Sequence, residues 1–211
     1  FGPVQSWMLL CEFRATRMST DAPFVILVSG GTASGKSSIV GQFVAKTGAA
    51  VIGHDRYYFD VPEPRGHDYD HPDALDTPLL VSHVQQLRHG EIARLPVYDF
   101  SSHTRQTETE AREPSTVIVV EGILVMNDPA LCALADLSVF VEAPETVRLA
   151  RRIERDVRER GRSEDSVREQ YLSTVKPNHD RYVQPSKESA QLVLNGCDPI
   201  DSSVDRLMEA I

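Results

Sequence analysis

The sequence predicts an α/β fold built on a doubly wound parallel sheet, and three observations predict it. Short continuous apolar runs recur at 24–29 (FVILVS), 115–126 (STVIVVEGILVM) and 136–143 (DLSVFVEA). They lack the alternation of half-exposed strands, so they read as strands covered on both faces. Helical segments lie between them, the order expected of a parallel sheet. The third observation is a glycine-rich turn, Gly30 to Gly35, directly after the first run, at the strand end where such sheets bind ligands.

Each element then follows from local signals. The first strand, 24–29, leads through the glycine turn into a helix expected from about Lys36 to Lys46, then a short strand at 50–54. Residues 59–73, rich in Pro, Gly, His and Asp, read as a loop. A helix is expected at 78–90, with Pro78 at its start and Gly90 after its end. Residues 95–100 are short and extended, and the polar stretch 101–114 reads as a hairpin or lid. The second and third buried strands follow, then a helix over the arginine-rich segment 148–162. Ser163 with Asp165 in the first turn marks the start of a helix at 163–175. A last strand is expected at 191–195 and a last helix at 201–211, with no internal repeat. Residues 21–211 are read as a single domain. Residues 1–20 are read as an N-terminal extension without an assigned role, Met18 being a natural start.

Composition narrows the class. With 211 residues, 41% of them hydrophobic, the chain can bury a full core. A net charge of −9 argues against a general nucleic-acid or anionic-membrane partner, and no apolar run approaches the roughly twenty residues of a membrane span. Cys11, Cys132 and Cys197 are an odd set without a CxxC pair, which implies a reducing, cytoplasmic setting. His67 and His71 have ligand-like spacing, but Gly66 and Pro72 flank them, so no zinc helix is expected.

The glycine turn carries the strongest motif. Gly30, Gly31, Thr32, Ala33, Ser34, Gly35, Lys36 and Ser37 fit G-x-x-x-x-G-K-[ST], with Ser38 following, after a strand and at a helix start. Backbone N–H groups and the helix dipole cradle phosphates there, Lys36 reaches the β/γ-phosphates, and Ser37 offers its hydroxyl to Mg²⁺. The expected ligand is therefore a nucleotide with Mg²⁺, and the motif does not name the reaction. Glu121 and Asp55 end neighbouring strands beside the same crevice and are candidates to meet the metal. Asp55 has a second candidate role, accepting a proton from an attacking hydroxyl.

Seven of the eighteen arginines lie in 148–162. At helical spacing Arg148, Arg151, Arg152, Arg155 and Arg158 share one arc, with only Glu159 inside it, and Leu149, Ile153 and Val157 are expected to be the buried face. A one-signed arc repels itself unless it meets an anion, so it reads as a binder of ATP and of the transferred phosphate. Gly161, between Arg160 and Arg162, would let the segment close as a lid, and Arg158 is expected to stay solvated.

From Phe24 onward the chain resembles the uridine kinase (uridine-cytidine kinase) family, a branch of the P-loop kinases. The resemblance rests on GGTASGKSS, HDRYY (54–58), YDHPDALD (69–76), PVYDFSSHTR (96–105), EGILV (121–125), RRIERDVRERGRS (151–163) and QYLSTVKP (170–177), all in order. It implies a P-loop NTPase fold with a small lid or hairpin region and transfer of the γ-phosphate of ATP or GTP to the 5′-hydroxyl of uridine or cytidine. It also implies pyrimidine salvage and a tetrameric habit. By resemblance Asp55 is the catalytic base, assisted by Lys36, Arg155 and Arg162. Tyr58 and Asp70 line the nucleoside pocket, Asp70 gripping ribose hydroxyls. Tyr98 and His103 read the base, with Phe100 packing nearby. Arg152, Arg155, Arg162 and Gln170 meet the substrate or the phosphates. Where the family tends to have YAD, this chain has Ser189, Ala190 and Gln191, ahead of the expected adenine contacts near Cys197 and Asp198. The alternatives are a sibling kinase for pantothenate or ribulose phosphate, which lacks the YDHPDALD and PVYDFSSHTR pair, and a regulatory GTP-binding module, for which an NKxD motif is missing.

Overall fold

A computed structural model describes residues 22–61 and 68–211; the expected extension 1–20 and His67 lie outside the described residues. Five strands, β1 (Phe24–Ser29), β2 (Ala50–Gly53), β5 (Val117–Glu121), β6 (Leu137–Glu142) and β7 (Leu192–Asn195), form a parallel sheet in the order β2-β5-β1-β6-β7. The remaining strands, β3 (Ala93–Asp99) and β4 (Thr104–Arg112), pair antiparallel as the expected hairpin.

The apolar runs are continuous because both faces of the sheet are covered. Val25, Leu27, Ile118 and Val120 join one buried cluster with Leu80, Val84 and Leu87 of the helix Thr77–Arg88. Ile26, Val28, Val117 and Val119 join a second with Ile39, Val40 and Phe43 of the helix Lys36–Thr47 and Val204 and Leu207 of Ile200–Glu209. Alternate residues of each strand thus serve opposite cores. The run 115–126 is strand only to Glu121; Gly122 then turns the chain, its Cα so close to His54 that a Cβ would lie 2.6 Å from that side chain.

Two expectations about helices change. The arginine helix, Glu145–Arg160, buries Arg148, Arg152 and Asp156, whereas Leu149 and Ile153 are half-buried and Val157 is 43% exposed. Hydropathy assigned the wrong face because this helix packs against polar partners, the glycine turn and Gln170, and carries its own counter-ion in Asp156. The helix begun at Ser163 spans Glu164–Gln170 as α-helix and then runs on. Wider π turns at Tyr171–Val175 and His179–Val183 flank a single α turn at Lys176–Asn178, so Pro177 interrupts nothing.

Candidate active site

The glycine turn wraps at the sheet's centre. Gly30 (φ 141°) and Gly35 (φ 106°) adopt backbone angles open to glycine, and Ala33 (φ 55°) sits in the left-handed region between them. Close packing enforces this shape, since a Cβ on Gly30 would stand 2.3 Å from the Val141 carbonyl oxygen and one on Gly31 would meet the buried Arg148 guanidinium at 2.6 Å. A Cβ on Gly196, in the turn after β7, would stand 1.8 Å from the Ser34 carbonyl oxygen. Lys36 is folded back, donating to the carbonyls of Gly30 (2.8 Å) and Gly31 (2.9 Å). Burial lowers its pKa to about 8.

Strand register brings the acids here. Glu121 lies beside Val28 of β1 on one side and Gly53 of β2 on the other, two residues before Asp55. Burial raises the Glu121 pKa, opposed by a hydrogen bond from Ser37 and the charge of Lys36. Its Oε2 is buried without a hydrogen-bond partner, so Ser37, Glu121 and Asp55 fit a hard divalent cation. Among the described residues no closed cage of three or more His, Cys, Asp or Glu exists. Asp55 opens to solvent in the crevice, yet the surrounding walls displace enough water to raise its pKa; Lys36, Arg160 and Arg155 pull it back.

Two cavities meet at Asp55. One, of about 630 Å³, is lined by Thr32 to Ser38, Glu121 and Asp55, and reaches Arg151, Gly196 and Asp198. The other, of about 740 Å³, is lined by Asp55, Tyr58, Asp70, Tyr98, Phe100, His103, Arg152, Arg155, Arg162 and Gln170. The site residues expected from the sequence therefore share one cleft, apart from Gly30 and Gly31, which line neither cavity and support the turn from behind. The size of the second cavity suits a small organic acceptor.

The aromatic wall comes from the hairpin and the loop facing it. Tyr98 packs at 5.5 Å from Tyr58 and 5.1 Å from Phe100, and Tyr69 stacks on His103 at 5.0 Å. His103 reaches that position from a left-handed backbone (φ 57°) at the hairpin tip, which Asp99 tightens by accepting from the Ser101 backbone N–H and the Ser101 and Ser102 hydroxyls. Arg105 locks the hairpin to the Asp55 segment, donating to the carbonyls of Tyr57 (2.7 Å) and Tyr58 (2.8 Å) and pairing with Asp76 (3.0 Å). Asp70 is buried, its pKa raised to about 6 by desolvation against the pull of Arg152.

On the opposite wall Arg152 donates to Thr32 Oγ1 (3.0 Å) and Gln170 Oε1 (3.1 Å), and Arg162 also donates to Gln170 Oε1. Arg158 is exposed and pairs with Glu159 and Glu154, as expected. Sequence reasoning gave Arg160 and Arg105 no role of their own and overlooked Asp156. Asp156 and Arg160 lie outside the angular arc of the other arginines, and the locking role of Arg105 is a long-range contact, so none of the three was legible from spacing.

Residues 60–201 match the Phosphoribulokinase / Uridine kinase family. The chain belongs to this family. Among its relatives, a uridine kinase of Oceanobacillus iheyensis is 42% identical over 84% of this chain and 88% of its own length. A uridine kinase of Chloroflexus aurantiacus is 43% identical over 82% and 87% respectively. In structure the chain is similar to D-glycerate 3-kinase from Cryptococcus neoformans, with a TM-score of 0.61, 16% identity and coverage of 93% and 97% of the two chains. That last likeness concerns the fold alone, which is that of a P-loop NTPase. The protein is a kinase, and no helix among the described residues is long and apolar enough to cross a membrane.

Proposed function

We propose that this kinase transfers the γ-phosphoryl group of ATP or GTP to the 5′-hydroxyl of uridine or cytidine, serving pyrimidine salvage in the cytoplasm. The single observation that carries the reading is Asp55 at the junction of a phosphate cradle and an aromatic-walled acceptor cavity. The named relatives supply the nucleoside. Tyr58, Tyr98, Phe100 and His103 offer a flat base stacking surface and polar edges, and Asp70 accepts from ribose hydroxyls. His103 carries one donor and one acceptor when neutral, so it accommodates uracil and cytosine alike.

In the reaction the nucleoside O5′ forms a bond to the γ-phosphorus as the bond to the β,γ-bridging oxygen breaks, and the hydroxyl proton passes to Asp55. Arg152, Arg155 and Arg162 stabilise the charge spread over the transferring group, while Lys36 leaves its glycine carbonyls for the phosphates. Mg²⁺, held through Ser37, Glu121 and Asp55, would neutralise charge on the β- and γ-phosphates. A sugar-phosphate acceptor, as in the sibling kinases, fits less well: the hairpin side of the cavity presents aromatics, and its lining cations all come from 152–162.

The test is product analysis. Incubation with Mg²⁺, ATP and uridine should yield the nucleoside 5′-monophosphate, and 5′-deoxyuridine should yield nothing. A phosphorylated product from 5′-deoxyuridine would refute the assignment of the accepting hydroxyl.

A further inference from the structure

Asp156 is an aspartate with no solvent exposure, and four arginines surround it. Arg155 donates to its Oδ1 through Nε (2.9 Å) and lies 2.8 Å from it through a terminal nitrogen, and Arg160 approaches Oδ1 at 3.5 Å. Oδ2 has no hydrogen bond; Arg152 Nε stands 3.6 Å away and an Arg162 terminal nitrogen 3.7 Å. All four arginines line the acceptor cavity. The backbone carbonyl of Asp156 also accepts from Gly161 and Arg162, which fixes where the chain leaves the helix.

One carboxylate cannot neutralise four guanidinium groups, so the cluster keeps a surplus of positive charge for an anion. It can restrict where those groups point. Arg155 is held in a charge-assisted hydrogen bond, whereas Arg152 and Arg162 are attracted at distances too long for one and donate their hydrogen bonds to Thr32, Gln170 and Ser166 instead. A purely structural ion pair would bury its partners with it; here Arg155 and Arg162 keep partial access to the cavity.

We propose that Asp156 is a positioning residue for phosphoryl transfer, whose buried carboxylate holds Arg152, Arg155, Arg160 and Arg162 in an arrangement that meets the transferring phosphate. The inference rests on the kinase reading above. Removing the carboxylate leaves the positive charge, and hence attraction for nucleotide, but loses the arrangement that matters in the transition state. The loss therefore falls on kcat rather than on nucleotide binding.

Asp156→Asn keeps the shape and removes the charge. With the acceptor the wild type uses, kcat is expected to fall by about ten- to a hundredfold, with KM and Kd for Mg-ATP unchanged or lower and the circular dichroism spectrum retained. A kcat within about twofold of wild type, or a loss confined to nucleotide KM, would overturn the proposal. If the variant does not fold, arginine-labelled wild-type protein decides. The Nε–H resonance of Arg155, assigned by its disappearance in Arg155→Lys, should be narrow and slowly exchanging without ligand, and a resonance averaged by exchange would overturn the proposal. A wild-type protein without acceptor-dependent transfer would instead overturn the kinase reading and, with it, the catalytic role of Asp156.

Discussion

Lys36 combines a buried charge with a ligand that must pair with it. Its ammonium is held against the Gly30 and Gly31 carbonyls, and burial pulls its pKa down to about 8, with Asp55 and Glu121 opposing the shift and Arg155 and Arg148 adding to it. A bound triphosphate sets negative charge against the ammonium and raises the pKa again. The sign follows. As pH rises through about 8 the free protein loses the proton while the complex keeps it, so binding takes up a proton and weakens. Roughly one tenth of free Lys36 is neutral at pH 7 and roughly nine tenths at pH 9, so affinity falls about tenfold between them, or about 1.4 kcal/mol. Isothermal titration calorimetry in buffers of different ionisation enthalpy reads the proton directly: uptake should rise from about 0.1 to about 0.9 protons per nucleotide over that range. Lys36→Met should abolish the uptake. A pH-independent affinity with no uptake at pH 9 would refute the reasoning.

Three further outcomes follow from the same site. Asp55→Asn should lower the single-turnover transfer rate by about 10²–10⁴-fold while nucleotide still binds; retained turnover would rule out the base assignment. Because burial raises the Asp70 pKa to about 6, its carboxylate is protonated below that pH and ceases to be a pure acceptor. Nucleoside KM should therefore rise about tenfold per pH unit below about 6, and acceptor titrations on Asp70→Asn should lack that dependence. Gly196→Ala places a methyl 1.8 Å from the Ser34 carbonyl oxygen, so the glycine turn must move. Thermal unfolding should show a loss of about 1–3 kcal/mol, with weaker nucleotide binding alongside it.

The sequence was most legible where mechanism is local. The run 24–29 and the motif from Gly30 to Ser37 carry their own context of strand, turn and helix start, and the structure places them as expected. The hairpin was readable from the extended run 95–100 and the polar stretch 101–114 after it, although its first strand already begins at Ala93. The arginine helix was not, because hydropathy ranks an arginine as exposed whatever it meets. Arg148 and Arg152 are buried by packing against the glycine turn and Gln170, partners distant in sequence, and Asp156 makes the burial of Arg152 tolerable. Asp156 lies just outside the arc by angle, and a one-signed reading of the face passed over it. The helix expected at 163–175 runs on past Pro177, because the π turns before and after that proline let the helix continue.

The most direct test of the central claim is ADP release with Mg-ATP across a panel of acceptors: uridine, cytidine, adenosine, pantothenate, ribulose 5-phosphate and none. The account predicts strong turnover with uridine or cytidine alone. Equal, slow release with every acceptor would leave the phosphate cradle standing and contradict the acceptor site.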